Sequence, residues 1–298
     1  MKNQYLSYFF ILIFIVACSP SISPVDDGLE KQILHYGNGT EPQGLDPHIV
    51  TGVPEHHLLI SMCEGLTIAN PKGGENLPGV AESWQISEDG KTYTFFLNKA
   101  AKWSNGDQLV AEDFVWSWER ILTPSLGSQY PDMLYYLEGA ADFHQSKISD
   151  FSLVGVKAIN EHVLEVKLNN PTPFFIKLLS HYSTYPVHKK TVLQHGTIDD
   201  RNGQWTRPGN FVCNGPMNLK TWELNKQIIV EKNPTYWDAQ NVKLNQIIFY
   251  PVSNESTEDR MFRAGQLHVT NVVPLEKCPV YIEAKNPNLK IEPYMGTY

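Results

Sequence analysis

Residues 78–120 read PGVAESWQISEDGKTYTFFLNKAAKWSNGDQLVAEDFVWSWER, and this stretch decides the fold. Its segment 91–99 (KTYTFFLNK) is rich in β-branched and aromatic residues that alternate, which predicts a strand between the turn sequences SEDG and SNGD. One face of that strand would carry its large apolar side chains, Tyr93, Phe95 and Leu97. From residue 111 the apolar spacing becomes helical, with Phe114 and Trp118 on one stripe. The stretch predicts a strand–turn–helix unit and contains no catalytic motif.

The same two periodicities continue along the chain and predict a mixed α/β fold. Residues 156–169 form a predicted hairpin, and residues 217–233 form a second one that turns at Asn225. The run 245–252 (NQIIFYPV) is almost wholly apolar, which predicts a central strand buried on both faces. The segment 267–272 (LHVTNV) is predicted to be another strand.

Composition limits the possible functions of the chain. It has 298 residues, of which 42% are hydrophobic and 19% charged, as expected for a globular body of one large or two ordinary domains. The net charge is −8, the pI is near 5.7, and no run of lysine and arginine occurs. A surface that neutralises phosphates is therefore missing, and nucleic acid is not expected as a partner.

The first 18 residues have the pattern of a lipoprotein signal peptide. Lys2 precedes an apolar segment, residues 8–17, that is too short to cross a bilayer. The segment ends in IVAC, which resembles a bacterial lipobox, so the thiol of Cys18 is the predicted lipidation site. The alternatives are an ordinary signal peptide or an uncleaved anchor. Residues 19–30 would form a Pro/Ser-rich tether, and the protein would lie at the periplasmic or extracellular face of a membrane in the cell envelope.

The sequence contains none of the common catalytic or metal-binding motifs. The chain has no GxSxG elbow, HExxH pair, P-loop or complete GxGxxG sequence. The three cysteines that follow Cys18 form no CxxC pair, so no zinc ribbon is predicted. The neighbouring acids Glu258 and Asp259 are interpreted as solvated surface or helix N-terminal residues. The sequence therefore predicts no enzyme, no cofactor and no metal site.

Several stretches resemble the peptide-binding family, family 5, of bacterial extracellular solute-binding proteins of ABC importers, and the oligopeptide-binding type in particular. These stretches are GTEPQGLDPHIVTGVPE, CEGL, the 78–120 segment quoted above, NPTYWDA and RAGQLHVTN. The resemblance implies an α/β fold of the periplasmic-binding-protein type II kind, a two-lobed flytrap. Residues 31–66 and 189–298 would belong to the first lobe and residues 67–188 to a small inserted domain. The opposing lobe would be missing, so the chain resembles the N-terminal part only.

The resemblance also implies a site and its partners. An extended oligopeptide would pair as an added strand with Thr51, Gly52 and Val53. Tyr130 would be a wall of the cleft. Other positions, where the lobes meet, are Asn271, Val272 and Tyr294. The bound peptide would be delivered to the subunits of an ABC permease by a monomer that a lipid anchor holds at the membrane.

Two alternatives to peptide transport stay open at this point. A truncated lipoprotein could act as a surface interaction protein that uses its exposed half-cleft as an adhesive patch. A family member could instead bind a metal chelate or haem. The histidines His48, His56 and His57, which are expected near the cleft edge, are the support for that second alternative.

Overall fold

A computed structural model describes residues 22–291 of the chain. The predicted signal peptide with Cys18 lies outside the described residues, and so does Tyr294. None of the helices in the 22–291 range combines the length and the apolar character needed to cross a membrane.

The strands of the described range form three sheets. In chain order they are β1 (Ile33–Gly37), β2 (Thr67–Ile68), β3 (Leu77–Pro78), β4 (Ala81–Ile86), β5 (Thr92–Leu97), β6 (Val156–Asn160), β7 (Val163–Lys167), β8 (Met217–Glu223), β9 (Gln227–Lys232) and β10 (Gln246–Tyr250). Sheet I has the order β1-β10-β9-β8, and sheet II has the order β4-β5-β7-β6. The short strands β2 and β3 pair with each other.

The helices flank these sheets and are mostly short. In chain order they are α1 (Pro24–Lys31), α2 (Val53–Met62), α3 (Ala111–Leu122), α4 (Ala140–His144), α5 (Phe175–Leu178), α6 (Lys189–Gln194), α7 (Glu255–Arg263) and α8 (Cys278–Glu283). The longest, α3, packs on sheet II, while α2 packs on sheet I. Each sheet therefore has its own apolar core.

Sheet II confirms the prediction made from the 78–120 stretch. The strand β5 alternates as expected, because its apolar face is buried and its threonines are only half-buried. Phe114 and Trp118 of α3 are fully buried against that face. The predicted hairpin over 156–169 is also present as β6 and β7. Local pattern was sufficient for the elements because β4 and β5, and likewise β6 and β7, are antiparallel pairs of strands that follow each other in the chain.

Sheet I joins the start of the described chain to a strand more than 200 residues later. The strand β1 pairs in parallel with β10, whereas β8, β9 and β10 are antiparallel. The strand β10 is central in sheet I, as predicted, but the prediction that both of its faces are buried is wrong. Ile247 and Phe249 are buried among α2 side chains, while Ile248 on the other face is half-buried, because α2 covers only one face.

Two further predictions need correction. Residues 24–30 were expected to be a tether but belong to α1, whose N-cap is Ser23. This helix is fastened to the body, since a Cβ on Gly28 would lie 2.6 Å from the carbonyl oxygen of Ile33. The segment 267–272 is not a strand, because a single parallel bridge between Tyr36 and Val269 is its only ladder contact in the described structure.

Candidate functional site

Residues 51 and 52 lead into α2, and Val53 is the first residue of that helix. Gly52 has φ −84° and ψ 157°, Thr51 is exposed, and Val53 is 59% exposed. Within the described residues, the N–H groups of Thr51 and Gly52 have no protein acceptor. The N–H of Val53 belongs to the first turn of a helix, where no intrahelical acceptor exists. The segment thus presents backbone donors to solvent along an open edge.

Gly52 has a packing reason to be glycine. A Cβ at this position would lie 1.9 Å from Oε2 of Glu55, which folds back over the start of α2. Glu55 is 3% exposed, and its Oε1 accepts a 2.7 Å hydrogen bond from the N–H of Gln43. A carboxylate in the first turn is also favoured by the helix dipole. The carboxylate and the glycine together fix how the chain enters α2.

A buried ion pair fastens the loop that precedes this edge. Arg120 of α3, which is 0% exposed, donates to both carboxylate oxygens of Asp46 at 2.9 and 2.6 Å. Nδ1 of His48 lies 3.0 Å from the same guanidinium, which can only donate, so this ring nitrogen is the acceptor. The other ring nitrogen, Nε2, then carries the proton and donates to the carbonyl of Tyr185 at 3.1 Å.

The charges in this cluster are fixed by burial and by the arginine. Burial, together with the neighbouring Arg120, lowers the pKa of His48 to about 4. Burial alone would raise the pKa of Asp46, but the Arg120 guanidinium outweighs it and holds that pKa below its ordinary value. The ion pair with a neutral histidine is therefore the state at neutral pH. It connects α3 rigidly to a loop five residues before Thr51.

An aromatic wall stands beside the edge. The ring of Tyr130 packs edge-on against His181 at 5.2 Å, and its hydroxyl lies 3.5 Å from the carbonyl oxygen of Thr51. Tyr182 donates from its hydroxyl to the carbonyl of Val50 at 3.1 Å. Burial lowers the pKa of His181 to about 4, so this wall carries no charge at neutral pH. The structure thus brings Tyr130 together with Thr51.

Asn271 is connected to the edge through a loop. Its Nδ2 lies 2.9 Å from the point where a Cβ on Gly39 would be. Asn38, the residue before Gly39, donates from its side chain to the carbonyl of Pro54 in α2 at 3.2 Å. Loop 38–39 therefore lies between Asn271 and the start of α2. Tyr294 is not among the described residues, so it is not placed.

Glu258 and Asp259 were interpreted as solvated surface or helix N-terminal acids; Glu258 does lie in the first turn of α7, but solvation is wrong for both. Both are buried, at 1% and 4% exposure, because α7 turns them towards β1 and α8. Oε2 of Glu258 accepts from the N–H of Asn271 at 3.1 Å, and burial raises the pKa of this carboxyl group. Asp259 accepts from Arg263 at 3.0 Å, from Tyr281 and from Lys277. The acids hold the 271–281 region against the body.

Glu64 is a buried acid that sequence reasoning missed. It lies in the CEGL stretch and accepts hydrogen bonds from Trp237 Nε1 at 2.9 Å and from the hydroxyl of Tyr236, both in the NPTYWDA stretch. Its backbone exchanges two hydrogen bonds with the Asn214 side chain. Burial raises the pKa of Glu64 to about 7. Both stretches carry the resemblance to the family, but no local sequence pattern indicates that they contact each other.

The histidines do not form a metal site in the described part of the chain. His48 lies in the loop before the 51–53 edge, but it is buried, and Arg120 and the carbonyl of Tyr185 occupy both of its ring nitrogens. His57 contacts the side chain of Asn38, and burial lowers its pKa to about 4. Among residues 22–291 no group of three histidine, cysteine or acidic side chains is placed to hold a metal ion.

Comparisons with known proteins agree with this architecture. OppA of Haemophilus influenzae, solved in complex with RPPGFSPFR, superposes with a TM-score of 0.81 and 35% identity over 86% of this chain and 49% of that one. The unliganded, open form of MppA, a periplasmic murein tripeptide binding protein, gives a TM-score of 0.80 at 32% identity, over 85% of this chain and 48% of that one. The described structure thus has the fold of periplasmic peptide-binding proteins.

The family is established by sequence as well. The family model for bacterial extracellular solute-binding proteins, family 5 Middle, matches residues 76–298, and the chain belongs to this family. The periplasmic oligopeptide-binding protein OppA of Escherichia coli K12 is 40% identical over 90% of this chain and 48% of its own length. OppA of Bacillus subtilis 168 is 37% identical over 91% and 49%. The chain spans about half the length of the curated relatives it matches. The resemblance and the fold class predicted from the sequence are confirmed.

Proposed function

We propose that this chain takes part in capturing extended oligopeptides outside the cell and delivering them to an ABC permease, without covalent chemistry. The relatives named above are periplasmic or oligopeptide-binding proteins, and one of them is solved with a bound peptide. Members of this family are solute-binding proteins. The proposal extends their binding role to this half-length chain.

The observation that carries the proposal is the open edge at residues 51–53. Gly52 is extended, and the N–H groups of Thr51 and Gly52 have no acceptor among the described residues, which suits strand addition, in which main-chain hydrogen bonds give affinity without reading sequence. Tyr130 beside Thr51 would shape one wall. Asn271 and Tyr294 would line the far end of the same surface.

The proposed organisation follows the family pattern. Residues 31–66 and 189–298 would form the first lobe, and residues 67–188 the inserted domain. Sheet I and sheet II lie in these two parts respectively, which supports the division. Lipidation at Cys18 would hold the protein, as a monomer, beside its permease. Mass spectrometry of membrane-extracted protein tests the lipid anchor through the mass of the N-terminal peptide.

Backbone amide shifts test the peptide-binding role directly. A 15N-labelled chain would be titrated with a pool of tri- to pentapeptides up to millimolar concentration. Pairing predicts shifts concentrated at Thr51, Gly52 and Val53. One open wall shields a peptide poorly from water, so we expect weak affinity for this chain alone. A folded chain whose 51–53 amides do not move at millimolar peptide would contradict the proposal.

A second candidate function is a surface interaction role. It is favoured by exposed apolar side chains at the end of the described range: Leu275 at 83%, Val280 at 61% and Ile282 at 53% exposure. Apolar groups exposed in this way mark partner surfaces. Pull-down from membranes with wild type and with a Leu275→Ser, Val280→Ser variant separates the two roles. A captured permease supports transport, and a different protein lost with the variant supports the second role.

A further inference from the structure

A cavity of about 490 Å³ has Thr51, the first residue of the 51–53 edge, in its lining. Its wall includes Arg201, Arg207 and Trp222, while the buried ring of Trp205 contributes to its floor. These residues follow α6 or lie in β8, so the cavity combines two distant parts of the chain with the proposed peptide edge. The other two residues of the edge, Gly52 and Val53, do not line this cavity.

Arg207 is held in position by an aromatic ring. Its guanidinium carbon lies 5.6 Å from the ring centroid of Trp222. That ring is fixed in turn, because Trp222 Nε1 donates to Glu41 Oε1 at 2.6 Å. The other oxygen of Glu41 accepts from the N–H of Asn225 at 3.0 Å. The cation–π contact orients the arginine, and Glu41 fixes the ring without forming a salt bridge to Arg207 among the described contacts.

Arg201 is positioned by backbone. Its Nη1 donates to the carbonyl oxygens of Leu126 and Gly127 at 2.5 and 2.6 Å. The arginine salt bridges found between described residues involve Arg120 and Arg263, and not Arg201 or Arg207. Both cavity arginines are therefore oriented by neutral groups and form no salt bridge with the described residues.

The charge balance of the cavity is opposite to that of the protein. Among the described lining residues the only acid is Asp46, and Arg120 occupies both of its oxygens. Two arginines that form no salt bridge with the described residues thus line one space in a chain whose net charge is −8. Planar guanidinium groups match the geometry of a carboxylate, to which they can donate two parallel hydrogen bonds.

We propose that this cavity is a carboxylate-binding subsite next to the 51–53 edge, with Arg207 and Arg201 as its cationic groups. The carboxylate is carried either by an acidic side chain or C-terminus of a bound peptide, or by a free dicarboxylate. The peptide source rests on the proposed function, whereas the free dicarboxylate does not.

Glutarate is the probe for the cavity alone. It would be titrated into the 15N-labelled 298-residue chain, and the indole N–H signals of Trp205 and Trp222 would be followed. We expect saturable shifts in the wild type and an affinity about fivefold weaker in Arg207→Gln, as for an ion pair that water still reaches. Lys99→Gln is the matched control, because it removes an exposed positive charge that does not line the cavity. Circular dichroism verifies that each variant is folded.

Alanine tetrapeptides that carry Glu or Gln at one position are the second probe. We expect a preference for Glu over Gln that Arg207→Gln abolishes and Lys99→Gln preserves. Glutarate binding without any peptide binding supports the subsite with a free dicarboxylate and counts against the peptide role. A preference for Glu peptides without glutarate binding supports the peptide source. The subsite is overturned if neither probe distinguishes wild type from Arg207→Gln.

Discussion

The indole Nε1 of Trp237 donates a hydrogen bond to Oε1 of Glu64 at 2.9 Å, across 173 residues of sequence. The pair of Arg120 and Asp46 similarly spans 74 residues. In both cases two stretches that resemble the solute-binding family meet inside the protein. The most recognisable sequence therefore holds the two sheets and their loops together, while the exposed 51–53 edge is the part available to a ligand.

Replacing Arg120 should be strongly destabilising. Arg120→Leu leaves Asp46 buried without its partner, and we expect a loss of about 3–5 kcal/mol in the free energy of unfolding. Denaturant titration measures it. The control is Lys31→Ala, which breaks a largely exposed pair with Asp27 and should cost less than about 0.5 kcal/mol. Similar losses for the two variants would mean that the buried pair does not hold the loop.

His48 should make stability fall in acid. Its pKa is about 4 in the folded protein and 6.5 ordinarily, so between these values the unfolded chain binds the proton and the folded protein does not. Stability therefore decreases as the pH falls through this window, by at most about 3 kcal/mol. His48→Gln removes this contribution. Unfolding curves at pH 7 and pH 4.5 measure it, and an unchanged pH dependence in the variant would contradict the assignment.

Glu64 should have the opposite effect on the pH dependence of stability, because it should make stability fall as the pH rises. Its pKa rises from 4.5 to about 7 on folding, so the folded protein binds the proton more tightly. The stability it contributes is present below about pH 4.5 and is lost as the pH rises to about 7, by roughly 3 kcal/mol. Because His48 also makes stability depend on pH between about 4 and 6.5, the quantity to compare is the free energy of unfolding of the wild type minus that of Glu64→Gln. That difference should shrink as the pH rises from 5 to 8, and a constant difference would refute the shift.

Gly52→Ala should destabilise through Glu55 and not through backbone strain. The φ of Gly52 suits any residue, but the new methyl group would meet the Glu55 carboxylate. Moving that side chain breaks its bond to Gln43, which should cost about 1–2 kcal/mol. In a Glu55→Ala background the same substitution should cost much less, as a double-mutant cycle would show.

Gly44→Ala is the control for this cycle. Its Cβ would make only an ordinary 3.5 Å contact with Val50. If Gly44→Ala and Gly52→Ala have equal effects, the proposed conflict with Glu55 is not the cause.

Local patterns predicted the parts of the fold that are local. The 78–120 stretch was correct because the alternation in β5 and the stripe on α3 are both visible within a few residues. The helix α1 was missed because Pro, Ser and Asp are typical of linkers, and because its contacts with Gly265 and His268 come from a distant part of the chain. Composition cannot report a contact of that kind.

The site was harder to predict for the same physical reason. Arg120 sits in an amphipathic helix, where an arginine is usually solvated, and its partner lies in a distant loop. Glu258 and Asp259 are adjacent acids, and adjacency does not say which side of a helix faces the core. The resemblance predicted residues 51–53 and Tyr130 as site residues. The burial of the carboxylates around them was not predicted, because it depends on contacts with distant parts of the chain.

The parallel pairing of β1 with β10 sets the order in which the protein can fold during its synthesis. The strands of sheet II have all been made by residue 167, whereas β1 must wait until β10 has been made. Long-range pairing is slow for entropic reasons, so the nascent chain carries an unpaired β1 at least until residue 250 has been added. We expect the Phe95 amide to be protected before that of Phe249 in pulse-labelled hydrogen exchange. A nascent chain in this state would need a chaperone, or rapid export, to keep β1 from pairing with another chain.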